Sequence, residues 1–314
     1  MITPPRGPFA AGDQVQLTDP KGRRHRLVLS PGKSFHTHRG ALAHDDLIGK
    51  PEGSLVTSAG GTPYLAFRPL LADYALSMER GAAVVYPKDA AQIVGLADIF
   101  PGAHVVEAGA GSGALSCWLL RAVGEAGRLT SFERRPDFAE IAIGNVQRYF
   151  GGPHPAWQLI VGDLDPAGIA NADRVVLDML SPWDYVAAAA AMLRPGGVLC
   201  CYVATTTQLA RTVSTAREQG SFDEPAAWET LQRGWHVDGL AVRPEHRMIG
   251  HTGFLVMARR LADGVIAPPR RRRPSKGADA AAAEAAAELA AAAAGRGGDG
   301  AADTGGIAGT GAGE

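Results

Sequence analysis

The chain has few of the residues that mark specialised classes of protein. Only three cysteines occur among its 314 residues, and none has metal-ligand spacing. A disulfide scaffold is therefore excluded, and a reducing compartment is the expected location. No apolar run approaches the ~18 residues that cross a membrane, and the N-terminus lacks the apolar core of a signal peptide. We expect a soluble cytoplasmic protein with no membrane partner and no metal.

An excess of charge of one sign is also missing. The chain has 31 Lys and Arg residues against 32 Asp and Glu residues, a net charge of −1. Attraction of the whole molecule to nucleic acid is excluded, so RNA affinity must come from local basic patches. Apolar residues, in contrast, make up 46% of the chain. At this length they suffice for a sizeable core and for two domains.

Residues 1–75 are predicted to form a small β-rich domain. Short alternating segments at 13–18, 26–29, 54–57 and 64–67 are separated by turn sequences. The domain contains a basic set: Lys21, Arg23, Arg24, His25, Arg26, Lys33, His36, His38 and Arg39. A solvated loop face explains this set simply. A surface that contacts the RNA backbone is the alternative, because phosphate contacts supply affinity without sequence information.

Strands and helices alternate over residues 76–262, which predicts a mostly parallel α/β sheet. Helices are expected at 90–100, 114–123, 136–150, 184–193 and 207–219, with strands between them. Two late strands, at 235–243 and 253–260, are joined by a hairpin-like loop and suggest an antiparallel edge. Residues 263–314 are rich in Ala, Gly and Arg and are predicted to be a disordered tail. For its arginine run, a solvated segment is favoured over an RNA contact.

The glycines at 109, 111 and 113 lie between a predicted strand and a predicted helix. This arrangement suits a backbone that approaches a nucleotide-type ligand at a helix N-terminus. Acids end four successive strands: Glu107, Glu133, Asp163 and Asp178. Ligands of open α/β sheets bind beyond the carboxyl ends of the strands, so we expect all four acids to line one crevice.

The ligand of this turn is either a dinucleotide or S-adenosylmethionine. Glu133 follows Gly113 by 20 residues, a spacing that suits a carboxylate on ribose hydroxyls in both ligands. The G-x-G-x-G spacing differs from the dinucleotide fingerprint. Glu107 before the turn would repel a pyrophosphate, whereas it can engage the ammonium of a methionine moiety. Asp163 can accept the adenine amino group. These features favour S-adenosylmethionine over NAD.

Four segments, taken in order, resemble the tRNA adenine-58 N1-methyltransferases over residues 7–262. They are Tyr86-Pro87-Lys88-Asp89, the glycine turn at 107–113, Asp178-Met179-Leu180-Ser181-Pro182-Trp183, and the segment 250–256 that contains His251. Leu180 stands where relatives often carry proline. The resemblance implies a class I methyltransferase fold, a homotetramer, and methylation of N1 of an adenine in the T-loop of tRNA, with S-adenosylmethionine as cofactor.

We assign candidate roles on this basis. The predicted catalytic residues are Asp178, which can accept a hydrogen bond from the exocyclic amino group of the target adenine, and Tyr86. The predicted substrate-binding residues are Trp183 and His251. Tyr86 and Trp183 are candidates for stacking on an extruded base, with core packing as the alternative for each. His251 is assigned either to substrate or to capping a loop. The predicted cofactor-binding residues are Glu107, Gly109, Gly111, Ser112, Gly113, Ala114, Leu115, Glu133, Phe138, Asp163 and Asp178.

Other functions remain open at this level. A methyltransferase acting on a protein or a small molecule would transfer the methyl group without RNA. A non-catalytic tRNA-binding subunit is a third hypothesis, although the glycine turn and Asp178 argue against it. A nicotinamide oxidoreductase is the least favoured.

Overall fold

The N-terminal region is built from short antiparallel strands. The computed structural model describes residues 6–268. Six strands come first: β1 (Gln14–Thr18), β2 (Arg24–Val28), β3 (Ser34–Thr37), β4 (Gly40–Ala43), β5 (Ser54–Thr57) and β6 (Pro63–Phe67). Four of them form an antiparallel sheet in the order β2-β1-β6-β5, and β3 pairs with β4 in a separate hairpin that the sequence analysis missed.

This small sheet has its own hydrophobic core. Strand β6 alternates, so that Tyr64 and Ala66 are buried while Leu65 and Phe67 face outward. The buried side chains pack with Leu17 of β1 and with Phe9 in one cluster. The next helix, α1 (Leu71–Ala75), packs in the core of the following region instead. The side chains of β1 and β6 therefore lie in one hydrophobic cluster and those of α1 in another, and the predicted boundary at residue 75 stays a prediction.

A seven-stranded, mostly parallel sheet forms the larger region, as predicted. Its strands follow the order β12-β15-β11-β10-β7-β8-β9. The strands are β7 (His104–Ala108), β8 (Arg128–Glu133), β9 (Trp157–Val161), β10 (Ala172–Asp178), β11 (Leu193–Val203), β12 (Ala226–Trp228) and β15 (Phe254–Arg259). The helices are α2 (Pro87–Leu96), α3 (Ala114–Val123), α4 (Pro136–Phe150), α5 (Val186–Met192) and α6 (Thr206–Gln219).

Two hydrophobic clusters cover the sheet. Neighbouring side chains of β7, such as Val105 and Val106, belong to different clusters because successive residues of a strand point to opposite faces. Strand order reverses beside β7, which lies between β10 and β8. Such a reversal opens a crevice at the carboxyl ends of the strands, and this is where the candidate site lies.

The late strands correct one detail of the predicted sheet. The predicted strand at 235–243 spans the turn of a separate hairpin, formed by β13 (Gln232–Asp238) and β14 (Ala241–Ile249). Gly239 and Leu240 make that turn, and a glycine, which readily adopts the positive φ that such turns require, is a signal that should have divided the segment. The antiparallel edge exists, but β15 pairs with β11 and β12 rather than with the hairpin.

The described residues also bear on the predicted first helix of the larger region, on membrane spans and on metal sites. The helix predicted at 90–100 begins earlier, at Pro87, because proline suits the first helical turn. Within residues 6–268, no helix has the length and apolar character needed to cross a bilayer. Over the same residues no cluster of His, Cys, Asp and Glu side chains suits a metal ion. The predicted disordered tail lies outside the described residues from residue 269 onward.

Candidate active site

The glycine turn connects β7 to α3 and lies against the end of β10. Gly109 has φ +91°, and a Cβ at this position would lie 1.8 Å from the carbonyl oxygen of Asp178. No L side chain fits there, so glycine lets the two strand ends approach each other. The backbone N–H of Gly111 donates to Oε2 of Glu133 over 2.8 Å, which joins the turn to the end of β8. The turn is thus held between the backbone of Asp178 and the carboxylate of Glu133.

A cavity of about 950 Å³ opens above this turn at the carboxyl ends of β7 to β11. Such a volume is at the upper end of the range for small-molecule sites. Seven of the predicted site residues line it: Tyr86, Gly109, Gly111, Glu133, Asp163, Asp178 and His251. These side chains come from positions up to 165 residues apart, and the parallel sheet brings them to one edge.

Glu133 is a rigidly held acceptor at the floor of the cavity. Its side chain is buried, and its Oε1 atom accepts a hydrogen bond of 3.0 Å from the backbone N–H of Arg135. Together with the bond from Gly111, each carboxylate oxygen therefore has a backbone donor. Each oxygen retains a lone pair, so the group can also accept hydrogen bonds from a ligand hydroxyl.

Asp163 lies at the mouth of the cavity beside a neighbour that the sequence analysis missed. The guanidinium of Arg134 donates to its carboxylate and also lies 3.3 Å from the hydroxyl of Tyr185. Both members of the ion pair are more than half exposed, so the pair contributes little to stability. An amino group approaching Asp163 has to share its carboxylate with Arg134.

Asp178 ends β10 deep in the cavity. Burial, followed by the negative charges of Glu107 and Glu133, raises the pKa of Asp178 to about 7. A carboxylate in this setting is costly until a positive or hydrogen-bond-donating group approaches it. Directly beside it in the sheet lies Tyr202 of β11, whose ring also lines the cavity. Burial raises the pKa of the Tyr202 phenol as well. Tyr202 lies one residue before the end of β11, and the pattern of acids at strand ends gave no signal for it.

Glu107 corrects the expectation that four acids line the crevice. It lies within β7 beneath the turn, fully buried, and its Oε2 accepts hydrogen bonds from Ser116 at 2.7 Å and Ser131 at 2.6 Å. The carboxyl group therefore joins α3 to β8 and does not reach the cavity. Burial raises its pKa to about 7, with the nearby charge of Glu133 adding to the effect. The strand continues to Ala108, so Glu107 points toward a helix-covered face.

Other predicted residues of the turn and its surroundings act from outside the cavity. The hydroxyl of Ser112 accepts hydrogen bonds from the backbone N–H groups of Gly81 and Ala82, and Ala82 lines the cavity. Phe138 packs beneath the guanidinium of Arg135 and beside Gly81. Both residues therefore support the loop that forms one wall. Gly113, Ala114 and Leu115 form the start of α3 below the turn, where Ala114 and Leu115 are buried in the core.

Trp183 and His251 are already engaged within the protein. The ring of Trp183 faces the guanidinium of Arg211 at 4.4 Å and does not line the cavity. His251 lines the cavity, but its Nδ1 lies 2.9 Å from Glu229 and its Nε2 lies 2.8 Å from the carbonyl oxygen of Ala204. Because both ring nitrogens face acceptors, the doubly protonated ring is favoured. The hydrogen bond with the Ala204 carbonyl, and then the one with Glu229, raises the pKa of His251. This arrangement corresponds to the loop-capping alternative.

The chain is similar to known tRNA methyltransferases over most of its length. Residues 7–56 match a family model described as TrmI-like N-terminal, and residues 64–241 match one described as tRNA methyltransferase complex GCD14 subunit. A tRNA (adenine(58)-N(1))-methyltransferase TrmI from Thermus thermophilus is 37% identical over 246 residues, which cover 78% of this chain and 95% of that protein. A Methanocaldococcus jannaschii TrmI, named for adenines 57 and 58, is 32% identical and covers 77% of this chain and 93% of its own.

Solved structures have the same fold. TrmI from Aquifex aeolicus, described as a tRNA (m1A58) methyltransferase, superposes with a TM-score of 0.72 at 26% identity and covers 81% of this chain and 99% of its own. A protein from Thermotoga maritima, described as a SAM-dependent O-methyltransferase, superposes with a TM-score of 0.76 at 28% identity. It covers 84% of this chain and 96% of its own.

Proposed function

Because the chain belongs to the TrmI family of tRNA (adenine-58 N1)-methyltransferases, we propose that it transfers a methyl group from S-adenosylmethionine to N1 of adenine 58 in the T-loop of tRNA. The observation that carries this proposal is one cavity in which Gly109, Glu133 and Asp178 meet. A close-approach turn, a ribose acceptor and an acceptor for the target base are the three parts that the reaction needs.

The residues of the cavity suit S-adenosylmethionine, which supplies a methyl group on a positively charged sulfur when bound. The crowded backbone at Gly109 allows a ligand to lie against the turn. Glu133 is the acceptor for ribose hydroxyls, and Asp163 is the acceptor for the adenine amino group of the cofactor. Both carboxylates and Asp178 also favour a cation over a neutral ligand in this cavity.

Asp178 acts on the target base. N1 of adenine has a lone pair, so methyl transfer would form the N1–C bond as the S–C bond of the methyl donor breaks, leaving a neutral thioether, without prior loss of a proton. The ring becomes positively charged as this bond forms, and an ionised Asp178 that accepts a hydrogen bond from the exocyclic amino group stabilises that charge. The same hydrogen bond holds N1 in line with the methyl group, an orientation effect worth several of the roughly 7–11 kcal/mol available.

Tyr86 and Tyr202 form the wall beside Asp178 on which the extruded adenine stacks or packs. Both line the cavity, and Tyr202 belongs to β11, which lies on the other side of β10 from β7 and β8, the strands of the Gly109 turn and Glu133. A base leaves its own stack at a cost of a few kcal/mol, which an aromatic wall offsets.

Transfer of label tests the proposal. The protein is incubated with methyl-labelled S-adenosylmethionine and an unmodified tRNA transcript, and the modified nucleotide is mapped. We expect label at N1 of adenine 58, and no label in a transcript with guanine at that position. In a parallel reaction with a cell extract, label in a small molecule, with none in tRNA, would instead support the O-methyltransferase activity named for the Thermotoga maritima neighbour.

We also propose that the β3–β4 hairpin contacts the tRNA backbone. On β2 and the turn before it, Arg23 and Arg24 are paired with acids of the protein itself. At the hairpin, in contrast, Lys33 and His36 are exposed, Arg39 lies in the turn between β3 and β4, and none of the three forms an ion pair within the described residues. Basic side chains held away from acids attract phosphates and release counterions on binding.

Substitution of Lys33 tests this surface. We expect Lys33→Ala to weaken tRNA binding by a few-fold at low salt and to reduce the slope of log affinity against log salt by about one. Arg23→Ala is the matched control, since its guanidinium is paired with Asp19. Equal effects of the two changes on the salt slope would remove the hairpin from the interface. Filter binding over a salt series measures both.

The expected homotetramer is likewise a proposal, and the β13–β14 hairpin supports it. Every residue of β13 is exposed, and Trp235, Val237 and Leu240 present apolar surface to solvent. Isolated two-stranded hairpins are marginally stable, so a second copy is the expected cover. Leu240→Asp should lower the mass measured by light scattering, whereas Leu180→Asp, on another exposed loop, should not. We also propose a cytoplasmic location, because tRNA is the proposed substrate and because the three cysteines form no disulfide.

A further inference from the structure

Lys88 and Asp89 form a buried ion pair outside the reacting groups. The Nζ atom of Lys88 lies 2.7 Å from Oδ1 of Asp89, and the two side chains are 3% and 1% exposed. Removing two charges from water is costly, and buried pairs of this kind are weak sources of stability. Their best-attested use is to specify one arrangement of neighbouring elements.

Thr252 closes the pair into a three-membered network. Its hydroxyl accepts a hydrogen bond from the ammonium of Lys88 and donates one to Oδ2 of Asp89. The proton count is consistent, because the ammonium only donates, the carboxylate only accepts and the hydroxyl does both. The network joins the first turn of α2 to the segment before β15, positions more than 160 residues apart.

Each end of the network holds one tyrosine of the cavity. Tyr86 is the N-cap residue of α2, two residues before Lys88. Tyr202 donates its hydroxyl hydrogen to the carbonyl oxygen of Thr252 over 2.8 Å. A Cβ at Gly253 would lie 2.4 Å from the ring of Tyr202, so the chain after Thr252 packs directly on that ring. The backbone of Tyr86, whose carbonyl oxygen accepts the N–H of Asp89, and the ring of Tyr202 are thus both tied to the network.

We propose that Lys88, Asp89 and Thr252 are positioning residues that fix Tyr86 and Tyr202 around the target adenine. This inference rests on the proposed function. Lys88 and Asp89 do not line the cavity, whereas Thr252 does; the network acts through the two rings and so sets the alignment of the base. Misplacement of reacting atoms by about 1 Å costs about a hundredfold in rate, which gives such a network a measurable effect.

Thr252→Val tests the network because it removes the hydroxyl and keeps the shape. We expect kcat for tRNA methylation to fall by at least about tenfold, while the KM for tRNA and the affinity for S-adenosylmethionine change by less than about threefold. Thr252→Ser should restore most of the rate. The control is Thr130→Val, since Thr130 is a buried threonine whose hydroxyl has no partner among the described residues.

Two results would overturn the inference. One is an unchanged kcat for Thr252→Val. The other is an equal loss for Thr252→Val and Thr130→Val, which would make the effect a general consequence of core substitution. If the wild-type protein methylates no tRNA, the proposed function fails instead. Crystal structures of the wild type and Thr252→Val then test whether the network positions the two rings, independently of activity. Displaced Tyr86 and Tyr202 rings support this role, and unmoved rings contradict it.

Discussion

The two ends of β10 have the same side chain in opposite surroundings. Asp173, near the amino end, accepts a hydrogen bond from the backbone N–H of His104 and another from Arg194. Burial would raise the pKa of Asp173, but these donors outweigh it and lower the pKa. Asp178, at the carboxyl end, has Glu107 and Glu133 as its charged neighbours, and its pKa rises.

This difference separates a structural carboxylate from a functional one. The Asp173 charge is compensated within the folded protein, so it contributes to stability and leaves nothing for a ligand to satisfy. The Asp178 charge is uncompensated and costs stability, which a ligand with a cation or an amino group recovers on binding. One edge of the sheet is therefore completed by the protein, and we propose that the other is completed by its substrates.

Replacing each aspartate by asparagine should produce the largest contrast. For Asp178→Asn we expect kcat to fall by about 10²–10³, as when one stabilising group is removed from the transition state, with little change in tRNA binding. For Asp173→Asn we expect near-normal kcat but a loss of about 1–3 kcal/mol in the free energy of unfolding, because Arg194 is left unpaired. Steady-state kinetics and urea unfolding measure these quantities; comparable losses of kcat in both variants would end the distinction.

Glycine substitutions extend the contrast to the backbone. Gly109→Ala places a methyl group on the Asp178 carbonyl, and we expect S-adenosylmethionine affinity to fall at least about thirtyfold, or about 2 kcal/mol. Gly151→Ala is the control at the amino-end edge, where φ is also positive but no atom lies within 4 Å of the new Cβ. It should reduce stability by about 1 kcal/mol and leave affinity unchanged. Calorimetric titration compares the two, and an affinity loss in Gly151→Ala of similar size would contradict the close-approach argument.

The smallest expected difference between the two aspartates is in the pH dependence of kcat/KM. Asp178 must be ionised to act, and its pKa is about 7 in the free protein, so kcat/KM should fall up to about tenfold per unit as pH decreases below 7. Asp173, whose pKa is lowered, stays ionised between pH 5 and 8 and adds nothing to this profile. In the residual activity of Asp178→Asn the inflection should be absent, whereas Asp173→Asn should retain it. An unchanged profile in Asp178→Asn would assign the inflection to another group.

Local patterns predicted most of the large sheet correctly. Alternation of apolar strands with helices, each helix preceded by a turn, is sufficient to indicate a parallel α/β fold. The glycine spacing likewise placed Gly109 at a close approach, since few other residues adopt its backbone conformation. The β13–β14 hairpin was misassigned because its apolar residues face solvent, so that burial gives no pattern to follow.

Side-chain direction within a strand was harder to predict. Glu107 and Asp178 both precede a turn and look equivalent in the sequence, yet one is enclosed beneath α3 and the other opens into the cavity. The difference depends on where each strand ends, and strand ends are uncertain by a residue or more. A shift of one residue reverses the face to which a side chain points.

By itself, the sequence determined the class of fold, the position of the glycine turn and the set of acids from which the site is made. Each of these follows from periodicity or from the conformational range of single residues, which act locally. Only the tertiary structure decided which acid stays uncompensated and that Lys88, Asp89 and Thr252 meet beside Tyr86 and Tyr202. Those outcomes depend on contacts between residues far apart in the chain, and on burial, which no local pattern records.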